Sequence, residues 1–250
     1  LNKKDDFLEA NVNFYQTNQK NEDNKTNPTV LPNLKYYTGN DFVSGNNRSG
    51  IFEFYNIFRD TNTEIHSKNQ QKFSHRYNIS RDIIKYNSKI SFKGEIYNQI
   101  FNTEKKYIET NKYHTGNIYR FFPIASMNFE TPFKIKKDKF NLTFNPQFQI
   151  VITPGISNSN KISNEDSTNN NFTIGNISSL NRYSGNDKMD NSKRIKYGFN
   201  ITNDYIKLNL SQLYEFTNNS NYHKQQGNDD YLSDLLGSFE YNKDKNNLNY

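Results

Sequence analysis

The sequence predicts an all-β chain, an antiparallel transmembrane β-barrel present in part, as about ten strands of a larger barrel. Three observations lead there. Apolar and polar residues alternate with a period of two over long stretches, which is strand geometry and not helix geometry. The chain is polar overall, with a mean hydropathy of −1.03, yet it carries 18 Tyr and 20 Phe, a combination that suits a sheet with one wet and one apolar face. The polar phase of the alternation holds Lys89, Lys93, Glu95, Lys196 and Lys207, which a dry sandwich could not bury unpaired but a water-filled lumen accepts. The alternative on alternation alone is a soluble antiparallel sheet with one solvated face.

In chain order, residues 1–28 read as a weak strand around Phe14-Tyr15 followed by a loop, and Thr29–Tyr37 as the first firm strand, with Pro32 near its start where a missing N–H is tolerated. Gly39 to Gly50 reads as a turn-rich connection. Gly50–Arg59 sets Phe52, Phe54 and Phe58 against Glu53 and Arg59. Lys72–Ile79 sets Phe73, Tyr77 and Ile79 against Lys72, Arg76 and Asn78. In Lys89–Phe101 the even positions are apolar (Ile90, Phe92, Ile96, Ile100) and the odd ones polar. Tyr119–Phe133 reads as one strand with Phe121, Ala125, Met127, Phe129 and Phe133 on a single face. Phe140–Thr153 is the most regular, followed after a long loop by Arg194–Thr202, Tyr205–Phe216 and Leu232–Tyr241, then a turn near Asp244 and a new strand at Tyr250. Segments of this length exceed ordinary strands and match the roughly 9–11 residues that cross a bilayer. Tyr36-Tyr37, Phe121-Phe122, Tyr214 and Tyr241 fall near strand ends, as interfacial aromatic girdles do.

Several functions are disfavoured. The net charge of +6 (32 − 26) comes from scattered Lys and Arg without a groove-reading motif, so no nucleic-acid partner is expected. With no Cys there is no disulfide, thiolate metal site or Cys nucleophile. His66, His75, His114 and His223 stand alone, without paired ligand spacing. Asp187, Asp190 and Asn191 lack the spacing and the Gly of a calcium loop. Gly39, Gly45 and Gly50 precede no helix, and no nucleophile elbow occurs. Triplets such as Asn141-Leu-Thr and Asn171-Phe-Thr are chance products of an Asn-rich chain. The reading is therefore no enzyme, no metal and no cofactor. Leu1-Asn-Lys-Lys-Asp-Asp is not a signal peptide, and the missing initial Met suggests a fragment or a processed chain.

The loop at about 154–192 is different in kind. Between its most regular flanking strands it gathers Glu165, Asp166, Arg182, Gly185 and Asp187. Three ordered motifs span it: Ser163-Asn-Glu-Asp-Ser, then Asn176-Ile-Ser-Ser-Leu-Asn-Arg-Tyr-Ser-Gly-Asn-Asp187, then Arg194-Ile-Lys-Tyr-Gly198. Together they resemble the C-terminal outer-membrane barrel of the LPS-assembly protein LptD family. Further segments agree: Leu31-Pro-Asn-Leu-Lys-Tyr-Tyr, Phe52 to Asp60, Arg120-Phe-Phe-Pro123 with Phe129-x-Thr-Pro-Phe133, and Tyr231-x-Ser-Asp-Leu-Leu-Gly237. The resemblance covers about residues 29–241. It departs at Met189, where the family has a Trp, and in lacking the cysteines that tie many barrels to a periplasmic domain.

The resemblance implies that residues 1–250 are part of a barrel domain, without the N-terminal jelly-roll, located in the cell outer membrane. It implies insertion of lipopolysaccharide into the outer leaflet, a small outer-membrane lipoprotein plug (LptE-like) in the lumen and periplasmic LPS bridge proteins. A passive porin-like or adhesin-like barrel, or a soluble β-sheet binding protein, is the alternative. Under the family reading, Asn164, Glu165, Asp166, Ser167, Asn181, Arg182, Tyr183, Gly185 and Asp187 form a hydrogen-bonded unit, with an acid–Arg182 pair, that caps or enters the lumen; otherwise they form a solvated extracellular loop. Lys89, Lys93, Arg194, Lys196 and Lys207 are the candidate lumen contacts to the anionic glycolipid; otherwise they simply solvate the lumen.

Overall fold

The computed structural model describes residues 6–17, 24–137, 140–168, 173–217, 231–243 and 246–249. Asn171, His223, Asp244 and Tyr250 lie outside them. The chain forms one antiparallel sheet: β1 Phe7–Phe14, β2 Thr29–Val43, β3 Asn46–Phe58, β4 Asn69–Lys85, β5 Ser88–Glu109, β6 Lys112–Glu130, β7 Phe133–Lys137, β8 Phe140–Ile152, β9 Arg194–Thr202, β10 Ile206–Glu215, β11 Leu236–Lys243 and β12 Asn246–Asn249. The 12-stranded sheet follows sequence order, except that β6 pairs β8 directly while β7 pairs only β8. It is an open section of barrel, with β1 and β12 at its edges.

Three sequence expectations change. Gly39 to Gly50 is not a connection: β2 and β3 run through it and turn at Ser44-Gly45, with φ of 51° and 79°. Both residues take positive φ, as the tight hairpin turns matched to strand twist require. Tyr119–Phe133 is not one strand, because Pro132 lacks an N–H for the ladder and the chain restarts as β7 at Phe133. The last firm strand begins at Leu236 rather than Leu232, and Leu232 makes only an isolated bridge to Tyr214.

The two faces invert the usual soluble arrangement. Phe52, Phe73, Phe92, Ile100, Phe121 and Phe129 are exposed, whereas Lys72, Gln70, Gln99, Arg120, Gln149 and Arg194 are buried on the opposite face. The outward-facing positions of β5, apolar but for Asn98, run from Ile90 to Ile100, ten steps along the strand. At about 3.4 Å per residue and a tilt of about 40°, that spans about 26 Å, the height of the lipid-facing band of an outer-membrane barrel. Substituting Ile96→Arg, near the middle of that band, is expected to destabilise the full-length protein by about 2–4 kcal/mol in a urea titration in liposomes. The same change near a rim should have a smaller effect.

One girdle assignment also changes. Phe121 is 58% exposed, but Phe122 points the other way and is 1% exposed, packed with Tyr97, Ile124, Val151, Leu180 and Met189. Adjacent strand residues must face opposite sides, so an aromatic pair cannot be wholly interfacial.

The two rims differ. At one, β2–β3 and β4–β5 close through two-residue turns at 44–45 and 86–87. At the other, β3–β4 and β8–β9 are joined by residues 59–68 and 153–193, and the described parts of the second, 153–168 and 173–193, fold back over the polar face of the sheet.

Candidate functional site

The segment 153–193 is held on the polar face by three linked ionic groups. Period-two alternation puts their strand partners there: Tyr55 of β3, Gln70 and Lys72 of β4, Gln99 of β5, Arg120 of β6, Arg194 of β9 and Glu215 of β10.

The first group surrounds Glu165. Arg59 donates through Nη1 at 3.1 Å and Nη2 at 2.5 Å to its two oxygens, a bidentate pair with both side chains almost fully buried. Ser163 Oγ also donates to Glu165, and His66 Nδ1 lies 3.4 Å from it. Gln70 locks the adjoining backbone reciprocally, accepting from Ser163 N–H at 3.0 Å and donating to Ser163 O at 3.0 Å. Burial pushes the Glu165 carboxyl up, but the hydrogen bonds and charges of His66, Arg59 and Ser163 outweigh it and hold the group at about 2.

The second group is centred on Lys72, which has no exposed side-chain surface. Its Nζ donates to Asp187 Oδ1 at 2.7 Å and Asp166 Oδ2 at 3.0 Å, with Glu53 at 3.5 Å. The two aspartates cap each other's backbones. Asp187 Oδ2 accepts the N–H groups of Glu165 (2.8 Å) and Asp166 (3.2 Å), and Asp166 Oδ1 accepts those of Asn186 (3.1 Å) and Asp187 (2.9 Å). This clasp joins two halves of the loop some 20 residues apart. Arg120 donates to Asp187 O at 2.7 Å and to Asn186 O, while Gln99 accepts from Arg120 Nε at 2.8 Å and donates to Asn186 O at 3.1 Å.

Gly185 sits inside the clasp. A Cβ there would lie 2.2 Å from Asp166 Oδ1 and 2.5 Å from its backbone oxygen, contacts that side-chain rotation alone cannot relieve. Gly185→Ala is therefore expected to destabilise the docked loop by about 1–3 kcal/mol, read as faster protease cleavage between 160 and 190 in the assembled protein.

The third group is Asp190, with no exposed surface, between two arginines. Arg182 donates through Nε and Nη2 (2.9 Å) to Asp190 and through Nη2 to Glu215 at 3.0 Å. Arg194 Nη1 donates to Asp190 at 3.0 Å, and its Nη2 to the carbonyls of Ser179 and Leu180.

The loop residues picked from sequence thus lie in two adjoining groups. Glu165, Asp166, Ser167, Gly185 and Asp187 meet at the clasp, where Ser167 Oγ donates to Asp166 Oδ1 at 2.7 Å. Arg182 belongs to the Asp190 group, and Asn181 ties the two together by donating to Gly185 O and Lys188 O. Asn164 closes a local turn with Ser167, and Tyr183 is buried. Burial and the nearby Asp190 raise the Tyr183 hydroxyl above its usual range.

The basic candidates do not converge. Lys89 pairs Asp82 at 3.0 Å, Lys207 pairs Glu240 at 3.0 Å and Lys196 donates to Gln147 at 3.1 Å. Arg194 is engaged with the loop. Only Lys93 joins the cavity of about 790 Å³ between the inner sides of β1–β5 and loop residues 178–186, where Lys35, Arg76, Glu53 and Glu95 also lie. Arg59, Lys72, Arg120, Asp190 and Glu215 are the ionic partners that sequence reading missed.

Three loop acids titrate in opposing senses. Glu165 and Asp166 are both lowered; in Asp166 burial is overcome by Lys72, Ser167 and the Asp187 N–H. Their contribution is present above their unfolded values, 4.5 and 3.8, and is lost as pH falls through the folded ones. Burial instead pushes Asp187 up to about 6 against the pull of Lys72, so its contribution is full below 3.8 and is lost as pH rises through 6. With the Asp187 carboxyl free, the thermal unfolding midpoint in detergent is therefore expected to fall steeply below about pH 4.5 and to decline more gently from about 5 to 6. A midpoint flat from pH 3 to 7 would contradict these assignments.

The sequence model of the family described as LPS transport system D, LptD, matches residues 6–247. No curated protein matches the chain.

Proposed function

Because this chain belongs to the LPS transport system D family, we propose that it forms part of the outer-membrane barrel through which lipopolysaccharide reaches the outer leaflet. A role in LPS transport and assembly follows from the family; passage through the lumen of this barrel is the finer reading. The observation that carries it is the loop 153–193, anchored across the polar face by buried ion pairs rather than projecting into solvent. A loop fixed in this way narrows the lumen and leaves the polar cavity beside β1–β5 as a route for a hydrated headgroup. The apolar outer band meanwhile keeps the strands in lipid. In this reading the rim with the long connections faces outward, as in outer-membrane barrels generally. A small lipoprotein plug and periplasmic bridge proteins are the expected partners.

A photo-crosslinking residue placed at Lys93 in the full-length protein tests this in cells. Lipopolysaccharide adducts are expected at 93 but not at Glu240, whose partner Lys207 lies far along the sheet. Absence of adducts at 93, Lys35 and Arg76 alike, in cells that still deliver lipopolysaccharide, would remove the luminal route.

A further inference from the structure

The surroundings of the Lys72–Asp187 pair hold more than an ion pair needs. Neither side chain has any exposed surface, so water is excluded from both. Nζ lies 2.7 Å from Asp187 Oδ1, and a second carboxylate oxygen, Asp166 Oδ2, lies 3.0 Å from the same nitrogen. Asp187 Oδ2 receives two backbone N–H groups, at 2.8 and 3.2 Å, and the Tyr55 hydroxyl lies between the two oxygens, 3.1 Å from Oδ1 and 3.2 Å from Oδ2. These are a nucleophile, a base and an oxyanion site of two backbone donors around one carboxyl carbon.

We propose that Lys72 and Asp187 condense to an intramolecular isopeptide bond, which fastens the loop covalently to β4. Lys72 passes one proton to Asp187 Oδ1, turning the ion pair into an amine and a carboxylic acid. The amine attacks Cγ, the C–N bond forms, and Asp166 Oδ2 takes the second proton. Negative charge gathers on Asp187 Oδ2, where the N–H groups of Glu165 and Asp166 donate. Asp166 then returns its proton to Oδ1, the C–Oδ1 bond breaks and water leaves. An ammonium and a carboxylate become an amide and one water, so charge and atoms balance without oxidant or cofactor. The chain contains no cysteine, so a covalent tie between loop and strand must use other chemistry of this kind.

The test is peptide mapping by mass spectrometry of the full-length protein purified from outer membranes. The expected result is a branched peptide joining the fragments that contain Lys72 and Asp187, lighter than their sum by about 18 Da, one water. It should vanish in Lys72→Met and fall at least about tenfold in Asp166→Asn, which removes the base. A wild-type digest with both fragments present only as unlinked peptides overturns the proposal and leaves a plain salt bridge; that measurement needs no variant to fold. Equal linkage in Asp166→Asn overturns the role given to Asp166.

Discussion

Replacing Lys72 with Met is expected to release the loop from the sheet and destabilise the docked state by about 3–5 kcal/mol, the usual effect of stranding buried charge by removing its partner. Three carboxylates face Lys72 Nζ within 3.5 Å: Asp187, Asp166 and Glu53. Asp187 is fully buried, and without the ammonium it must either take up a proton or draw in water. The reciprocal clasp would then weaken, because its backbone bonds run to ionised oxygens. The measurement is protease cleavage within 160–190 in the assembled full-length protein, together with uptake of a large antibiotic that the closed barrel excludes. Both should rise. Restoring neutrality with Lys72→Met/Asp187→Asn should recover part of the loss, since these residues share one network and their effects are not additive. A double variant no better than the single one would mean that packing, not charge, holds the loop.

The strands were legible because a bilayer imposes a coarse rule: one face apolar, one polar, alternating by single residues. Arg194–Thr202 obeys it along its whole length and Phe140–Thr153 all but at Val151, which turns inward to the apolar cluster, and both match their strands to within a residue. The β2–β3 hairpin was not, because Ser44-Gly45 carries only a weak turn signal beside the Gly39 and Gly50 that flank it, and Asn-rich strand ends resemble loops. The acids and Arg182 of the loop stood out by composition. Their partners did not, since Lys72 lies 115 residues from Asp187 and Arg59 lies 106 from Glu165. Only the wrapping of the sheet brings them together. One signal was nevertheless available. Cations on the polar phase of strands need counter-charges, and the acidic loop was the richest nearby supply. Asp190 lacks the spacing of a calcium ligand, and its place between two arginines twelve residues apart points instead to an ionic partner. Met189 fills the apolar cluster with Tyr97, Phe122, Ile124, Val151 and Leu180, which joins the loop to the inner side of β5, β6 and β8.

Asp190→Asn should loosen the other end of the loop by a similar amount, about 3–5 kcal/mol, and for the mirror-image reason. Here the stranded groups are cations. Arg182 and Arg194 are both 1% exposed at their side chains, and Asp190 is the anion they share. The amide keeps the shape but removes the charge, and its NH2 group would point donors at donors. Glu215 makes its direct ion pair with Arg182, at 3.0 Å, and acts on Arg194 only through its charge, so Glu215→Gln is expected to weaken the loop less. The exposed Lys207–Glu240 pair supplies the contrast: removing either partner should change stability by about 0–1 kcal/mol. The regional pattern separates the two large effects. In Asp190→Asn, amide hydrogen exchange should accelerate at 178–182 and 190–196 while 163–167 stays protected; in Lys72→Met the order should reverse. Uniform acceleration in both would show that the loop docks as one cooperative unit rather than through two separable anchors. In that case the few hydrogen bonds between the two ends, from Asn181 to Gly185 O and Lys188 O, from Asp190 N–H to Asn181 and from Lys188 N–H to Ser167, would be too slight to explain the coupling, and the apolar cluster around Met189 would have to carry it.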